Sequence, residues 1–384
     1  MKHFLSRFRQ AALFAFVSAG LLTTALYPDA AAQSAPQTGR ARYDVQHYRI
    51  DAELRPAEHI LRANGDVTFT PQDATRSIVF ELNGSLKVEG IEYKGKPLAS
   101  FVQDPVGVDT LGPVVRVDLG EVVQPGTPVT LRFRWSGALV TPEGGPLATK
   151  RLAYVGEEGS YLMYAARWFP FHDYAADRAT AEFNIIVPAG YQVAGTSDEP
   201  VVGQTRAGGM TAYRFVNRQP TLVGSFAAGR FVPRTLKIGG CELQFFVQPG
   251  SENRIEPYAE LIGRAMEFYA KQYGQPAFGT RYTIAQIDDE SLDAYAAPGM
   301  QFLSSRFFDP ARQLAEERVA REAAYQWWGF TTYLKSFDDA WLSQGLAEWS
   351  AYAFRESRSD GATLDAAQRD MQERALMFEQ AASI

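Results

Sequence analysis

The 384 residues carry 38 Lys and Arg against 44 Asp and Glu, a formal net charge of −6. This balance argues against nucleic acid as a partner, because phosphate binding needs a basic patch. Cys241 is the single cysteine, which excludes an intramolecular disulfide, and the length suffices for two domains with cores of their own.

The chain opens with Lys2, Arg7 and Arg9, an apolar run over 11–27, and the small residues Ala30, Ala31 and Ala32. This order reads as a signal peptide, 1–32, cleaved after Ala32; retention of the run as a membrane anchor is the alternative. No later segment is long and apolar enough to span a membrane. The mature chain is therefore expected to be periplasmic or secreted, with no stable membrane span.

From 33 to 248 the sequence is a succession of short alternating or β-branched runs broken by Gly, Pro and Asn. Strands are predicted at 43–54, 114–119, 129–135 and 181–187, within one all-β domain. No fixed-period repeat suggests a solenoid or propeller. Cys241, in the run 241–247, reads as a buried strand residue.

Near Pro249 and Gly250 the period changes. Ile255, Tyr258, Leu261, Ile262, Ala265, Met266 and Tyr269 recur at helical spacing, and Gly274 with Pro276 is a stop signal. Further helices are predicted over 310–329, 338–357 and 364–381, with Ser336 and Asp339 as a capping box for the second. Residues 249–384 form the second, mainly helical domain in this reading.

The helix predicted over 310–329 carries the chemistry. A peptidase helix of the His-Glu-x-x-His kind sets two imidazoles at i and i+4 on one face to hold zinc, with the intervening glutamate as general base. Here those positions hold Arg321, Glu322 and Tyr325, so the base position alone is kept.

With Tyr43-Asp44-Val45-Gln46-His47-Tyr48 as an opening strand, Phe169-Pro170-Phe171 later in the β region, Gln326-Trp327-Trp328-Gly329 after the helix and Trp341-Leu342-Ser343-Gln344-Gly345 beyond it, the chain resembles peptidase family M1. These are the membrane alanyl aminopeptidase-like zinc aminopeptidases, or gluzincins, and the likeness runs from about residue 43 to the end. It implies a multidomain α and β fold: an N-terminal all-β, saddle-like domain, then a mainly α, thermolysin-like gluzincin domain. The family's helical domain continues beyond the equivalent of Ile384, so an incomplete copy is expected.

The resemblance also assigns roles. Gln344 falls where the family has its third ligand, a glutamate, with eighteen residues between it and Tyr325. Arginine has no lone pair to give, tyrosine ligates only as a phenolate, and glutamine offers a neutral amide, so zinc is expected from the family and predicted lost. The histidines are His3, His47, His59 and His172, none of them in 249–384. A rebuilt site would need carboxylates, which suit calcium or magnesium better than zinc, or a histidine from the other domain.

Gly299, Met300 and Gln301 match the family's segment whose glutamate holds the substrate's amino terminus. Gln301 lacks that charge, but the backbone there is expected to pair with an extended peptide by strand addition. Glu322 is expected as a vestigial base, ion-paired with Arg321 or another basic residue, and Glu348 as an alternative partner for Arg321. Trp327, Trp328, Trp341, Trp349 and Tyr352 are expected to pack between helices, Phe169, Pro170 and Phe171 to pack at the domain junction, and His172 to be structural.

Three functions follow. The first is an exported, catalytically inactive aminopeptidase-like protein that keeps a groove for a peptide or protein partner. The second is an active metallopeptidase with a displaced metal and Glu322 as general base. The third is a structural module of a larger exported protein.

Overall fold

The computed structural model describes residues 42–358 apart from 107–111, 141–149, 176 and 290–292, together with residue 369. The expected signal segment and the helix expected over 364–381 lie outside the described residues.

The first layer grows from the strand Tyr43–Arg55, which pairs parallel with Ala179–Pro188 on one side and antiparallel with Ile60–Pro71 on the other. Its buried residues are Tyr43 and Val45, then Tyr48, Ile50, Ala52 and Leu54. The alternation changes phase because the register shifts between Val45 and His47, an extra residue of the kind that bends a strand. Five further strands complete an eight-stranded sheet, and its inner face covers a core containing Trp135, Trp168, Phe169 and Phe171. Two indole hydrogen bonds fix that core: Trp135 Nε1 donates to the Trp168 carbonyl at 2.7 Å, and Trp168 Nε1 to the Gly224 carbonyl at 2.8 Å. Gly224 has φ +94°, and a Cβ there would stand 2.5 Å from the Phe169 ring.

The second layer contains a five-stranded mixed sheet in the order Val232–Ile238, Cys241–Val247, Arg281–Ile287, Met300–Ser304, Ala294–Ala297. Cys241–Val247 and Arg281–Ile287 are parallel, so a crossover must join them. That crossover contains helix α1, Ile255–Tyr273, which buries the seven apolar residues expected and stops at Gly274, φ +85°. Two strands ahead of residue 248 thus hydrogen-bond, through this sheet, to strands behind it. The division expected at 248/249 is corrected accordingly: the change of period falls inside this layer, because it marks a switch of element within one sheet-and-helix unit.

Helices α2, Glu316–Ala324, and α3, Ala340–Glu356, pack with α1 around a second core. α2 is shorter than the 310–329 expected. Gln326 ends it: its side-chain Oε1 accepts from Gly299 N at 2.8 Å and its Nε2 donates to the Ala297 carbonyl at 3.0 Å, while the chain turns so that Thr332 N reaches the Trp327 carbonyl. The capping box expected at Ser336 and Asp339 does not form. Ser336 Oγ accepts from Asp338 N inside a short 3-10 turn, and Asp339 makes no side-chain bond at the start of α3. Among the described residues no helix is long and apolar enough to cross a membrane.

A third cluster joins the layers, bringing Tyr161, Met163, Ala227 and Phe231 against Ile287, Met300 and Phe302. Phe169 and Phe171 lie in the first core rather than at this junction, because the inner face of the eight-stranded sheet is closed by their rings.

Candidate functional site

α2 buries Val319, Ala320, Ala323 and Ala324 in the second core, which turns Arg318, Arg321, Glu322 and Tyr325 toward a cavity of about 300 Å³. Ser343 and Gln344 of α3, Ala294, Tyr295 and Ala296 of the edge strand, and Tyr174 and Arg178 from the first layer close it. Arg321, Glu322, Tyr325 and Gln344, far apart in any linear reading, therefore share one space.

The charges are tightly knit. Glu322 is buried, with Oε1 3.1 Å from Arg318 Nε and 3.5 Å from Arg321 Nη2, and its carboxylate also accepts from Ala296 N. Arg321 Nη1 donates to Glu348 Oε2 at 3.0 Å, and the Tyr352 hydroxyl donates to Glu348 Oε1 at 3.4 Å. Arg318 and Arg321 each keep a buried Nε without a hydrogen bond among the described residues, so the 3.1 Å approach of Arg318 is a charge contact rather than an aligned bond. Burial pushes the Glu322 carboxyl above its usual range, against the pull of Arg318 and Arg321. Burial also opposes the charge of Arg321, but Glu348 and Glu322 outweigh it and its pKa rises. Desolvation wins at the carboxylate and pairing at the guanidinium, as the deeper burial of Glu322 requires.

Tyr325 has its hydroxyl pushed up to about 12, by burial first and by Glu322 second, so it is a protonated donor at neutral pH. Gln344 is exposed at the cavity mouth.

The site expected at Gly299, Met300 and Gln301 is corrected. Met300 and Gln301 are fully buried, and their strand pairs with Thr283 and Ile284 on one side and with Ala297 and Ala296 on the other. No free backbone edge is left there for strand addition. Gln301 Oε1 accepts from the Tyr282 hydroxyl at 3.3 Å, which itself accepts from Gln326 Nε2. The edge strand is Ala294–Ala297, and α2 already covers part of it: Arg318 Nη2 donates to the Ala294 carbonyl at 3.4 Å and Glu322 takes Ala296 N.

Two tryptophans also depart from expectation. Trp327 is buried and donates to the Gly274 carbonyl at 2.8 Å; Trp328 donates to Ser350 Oγ at 2.8 Å. Trp341 and Trp349 are 67% and 48% exposed, because α3 turns Ala347, Ser350, Ala351 and Phe354 inward instead. His172 is structural in its contacts: it bonds Asp177 at 2.7 Å and stacks on Tyr43 at 3.8 Å. Arg178, Tyr174 and Tyr295 were not singled out by sequence reasoning; the one signal for Arg178 is its place in the polar stretch between Phe171 and the next strand.

No family model matches the chain. It is 25% identical over 288 residues to aminopeptidase N of Acetobacter pasteurianus, covering 69% of this chain and 79% of that protein. Its sequence is thus similar to an M1 aminopeptidase over most of its length. It is also 23% identical over 276 residues to mouse aminopeptidase Q, covering 61% of this chain and 46% of that protein. An M1 zinc metallopeptidase from Deinococcus radiodurans superposes with a TM-score of 0.67 at 21% identity, over 87% of this chain and 76% of that one. The β-rich layer followed by sheet and helices is thus the M1 fold.

In M1 terms the cavity lies where the resemblance puts the metal, and the side chains there do not suit zinc. Arg321 offers no lone pair, Tyr325 holds its proton, Gln344 is neutral, and Arg321 contacts both Glu322 and Glu348. Among the described residues no group of three or more His, Cys, Asp and Glu comes together as a metal site.

Proposed function

We propose that this M1-like chain is an exported pseudopeptidase, which uses the cavity beside α2 to hold a peptide or protein segment and does not hydrolyse it. The observation that carries this reading is the guanidinium of Arg321 between Glu322 and Glu348, at a position the resemblance gives to a metal ligand. A cation built into the helix repels a dication from the same space. Without a metal to lower the pKa of a water, Glu322 has no hydroxide to generate. The segment over 2–32, basic then apolar then small, supports export.

The test is hydrolysis of aminoacyl reporter substrates by the purified mature protein, with and without a chelator. No chelator-sensitive turnover is expected. Zinc-dependent turnover would establish the second reading, an active metallopeptidase with Glu322 as base, which the raised pKa of that buried carboxyl favours.

A further inference from the structure

The cavity beside α2 is lined by three guanidinium groups, Arg178, Arg318 and Arg321, and by one carboxylate, Glu322. Two of the cations are already matched, Arg318 by Glu322 at 3.1 Å and Arg321 by Glu348 at 3.0 Å. Arg178 is not. Its Nη1 donates to the carbonyls of Tyr174 at 3.0 Å and Asp177 at 2.6 Å, and its guanidinium lies 4.6 Å from the centre of the Tyr333 ring. Among the described residues no carboxylate comes within ion-pair distance of it; burial works against its charge and outweighs the longer-range pull of Asp177 and Asp173.

A half-buried cation without a carboxylate in contact leaves part of its desolvation cost unmatched. An oxyanion entering the cavity would offset that cost, because a guanidinium presents its free edge as a fork that fits planar oxygens in pairs. Nη1 is engaged by carbonyls, which leaves the Nε and Nη2 edge of Arg178 for a ligand. Tyr325, protonated, adds a neutral donor at the same cavity. The single open fork favours a monoanion over a phosphate dianion. A volume of about 300 Å³ admits a carboxylate with a small side chain or the end of a peptide.

We propose that the cavity binds a peptide carboxylate on Arg178, so that a place resembling a cation site holds an anion. This rests on the peptide-binding reading above. The ligand is either a C-terminal carboxylate or an acidic side chain.

Three peptides separate these sources and test the inference: acetyl-trialanine as the free acid, acetyl-trialanine amide, and acetyl-Ala-Glu-Ala amide, titrated calorimetrically into the full-length mature protein alongside inorganic phosphate. At least one acid-bearing peptide should bind about tenfold more tightly than the neutral amide, and Arg178→Gln should abolish that preference. Arg178→Lys, which keeps the charge without the fork, should restore part of it, and in unaltered protein rising salt should weaken it. Equal affinity for acid and neutral peptides, a preference unchanged in Arg178→Gln, or binding of phosphate alone would overturn the assignment. If Arg178→Gln does not fold, Arg178→Lys carries the comparison, and an acid preference as large as in unaltered protein would overturn the assignment. Should the protein prove a zinc peptidase, the reporter assay shows that separately, and the change of the acid-against-amide preference on Arg178 substitution still reports on Arg178.

Discussion

The guanidinium of Arg321 on α2 reaches the carboxylate of Glu348 on α3 across 3.0 Å, and the same group lies 3.5 Å from Glu322 on its own helix. One side chain therefore ties two helices and neutralises part of a buried charge. Replacing it by alanine leaves Glu322 with Arg318 as its one ion-pair partner and the Ala296 amide as a donor. Arg321→Ala should cost roughly 2 kcal/mol, less than a fully buried pair because the arginine side chain is 23% exposed. Urea denaturation checks this, and an unchanged midpoint would show that the contact is incidental.

Glu322 gives a pH dependence with a definite sign. Its carboxyl is raised above the ordinary 4.5, so the folded state holds the proton to higher pH than the unfolded chain does. The folded state is then favoured below 4.5, and that contribution declines as pH rises from 4.5 through the folded value. The stability difference between the unaltered protein and Glu322→Gln should therefore shift against the unaltered protein across that window. A difference that grows in its favour would mean pairing, not burial, governs this carboxylate.

Gln326 makes three buried bonds, to Gly299 N, the Ala297 carbonyl and the Tyr282 hydroxyl. Gln326→Ala orphans the Gly299 amide in the interior, at an expected cost of about 2 kcal/mol. Hydrogen exchange at Gly299 should accelerate together with the loss of stability. Exchange that stays slow would place the control of this turn elsewhere.

On α3 the outward Trp341 and Trp349 contribute little to the fold in this structure. Trp341→Gln with Trp349→Gln should change stability by no more than about 0.5 kcal/mol while lowering binding of a hydrophobic dye. A large loss of stability would show that these rings are covered in the intact protein.

Much of this arrangement could be read from residues alone, where period and burial agree. Tyr43 to Leu54 alternates, and Ile255 to Tyr269 follows one helical face; both became the elements expected. Arg321, Tyr325 and Gln344 line one cavity. The errors came where tertiary pairing decides. Met300 and Gln301 lie in an apolar run that fits an edge or an interior strand equally, and only the antiparallel return of Ala294–Ala297 makes them interior. Trp341 and Trp328 are alike as letters, but the phase set by Ala347 and Ala351 turns one outward while Ser350 holds the other. Arg178 enters the cavity from a turn between distant strands, a placement that no local pattern encodes.

Zinc content is the most direct measurement of the central claim. The purified protein, dialysed against zinc and assayed by mass spectrometry, should carry far less than one zinc per chain. The variant Arg321→His with Tyr325→His and Gln344→Glu should approach one, because the spacing of the three positions is kept. One zinc bound per chain in the unaltered protein would contradict the account.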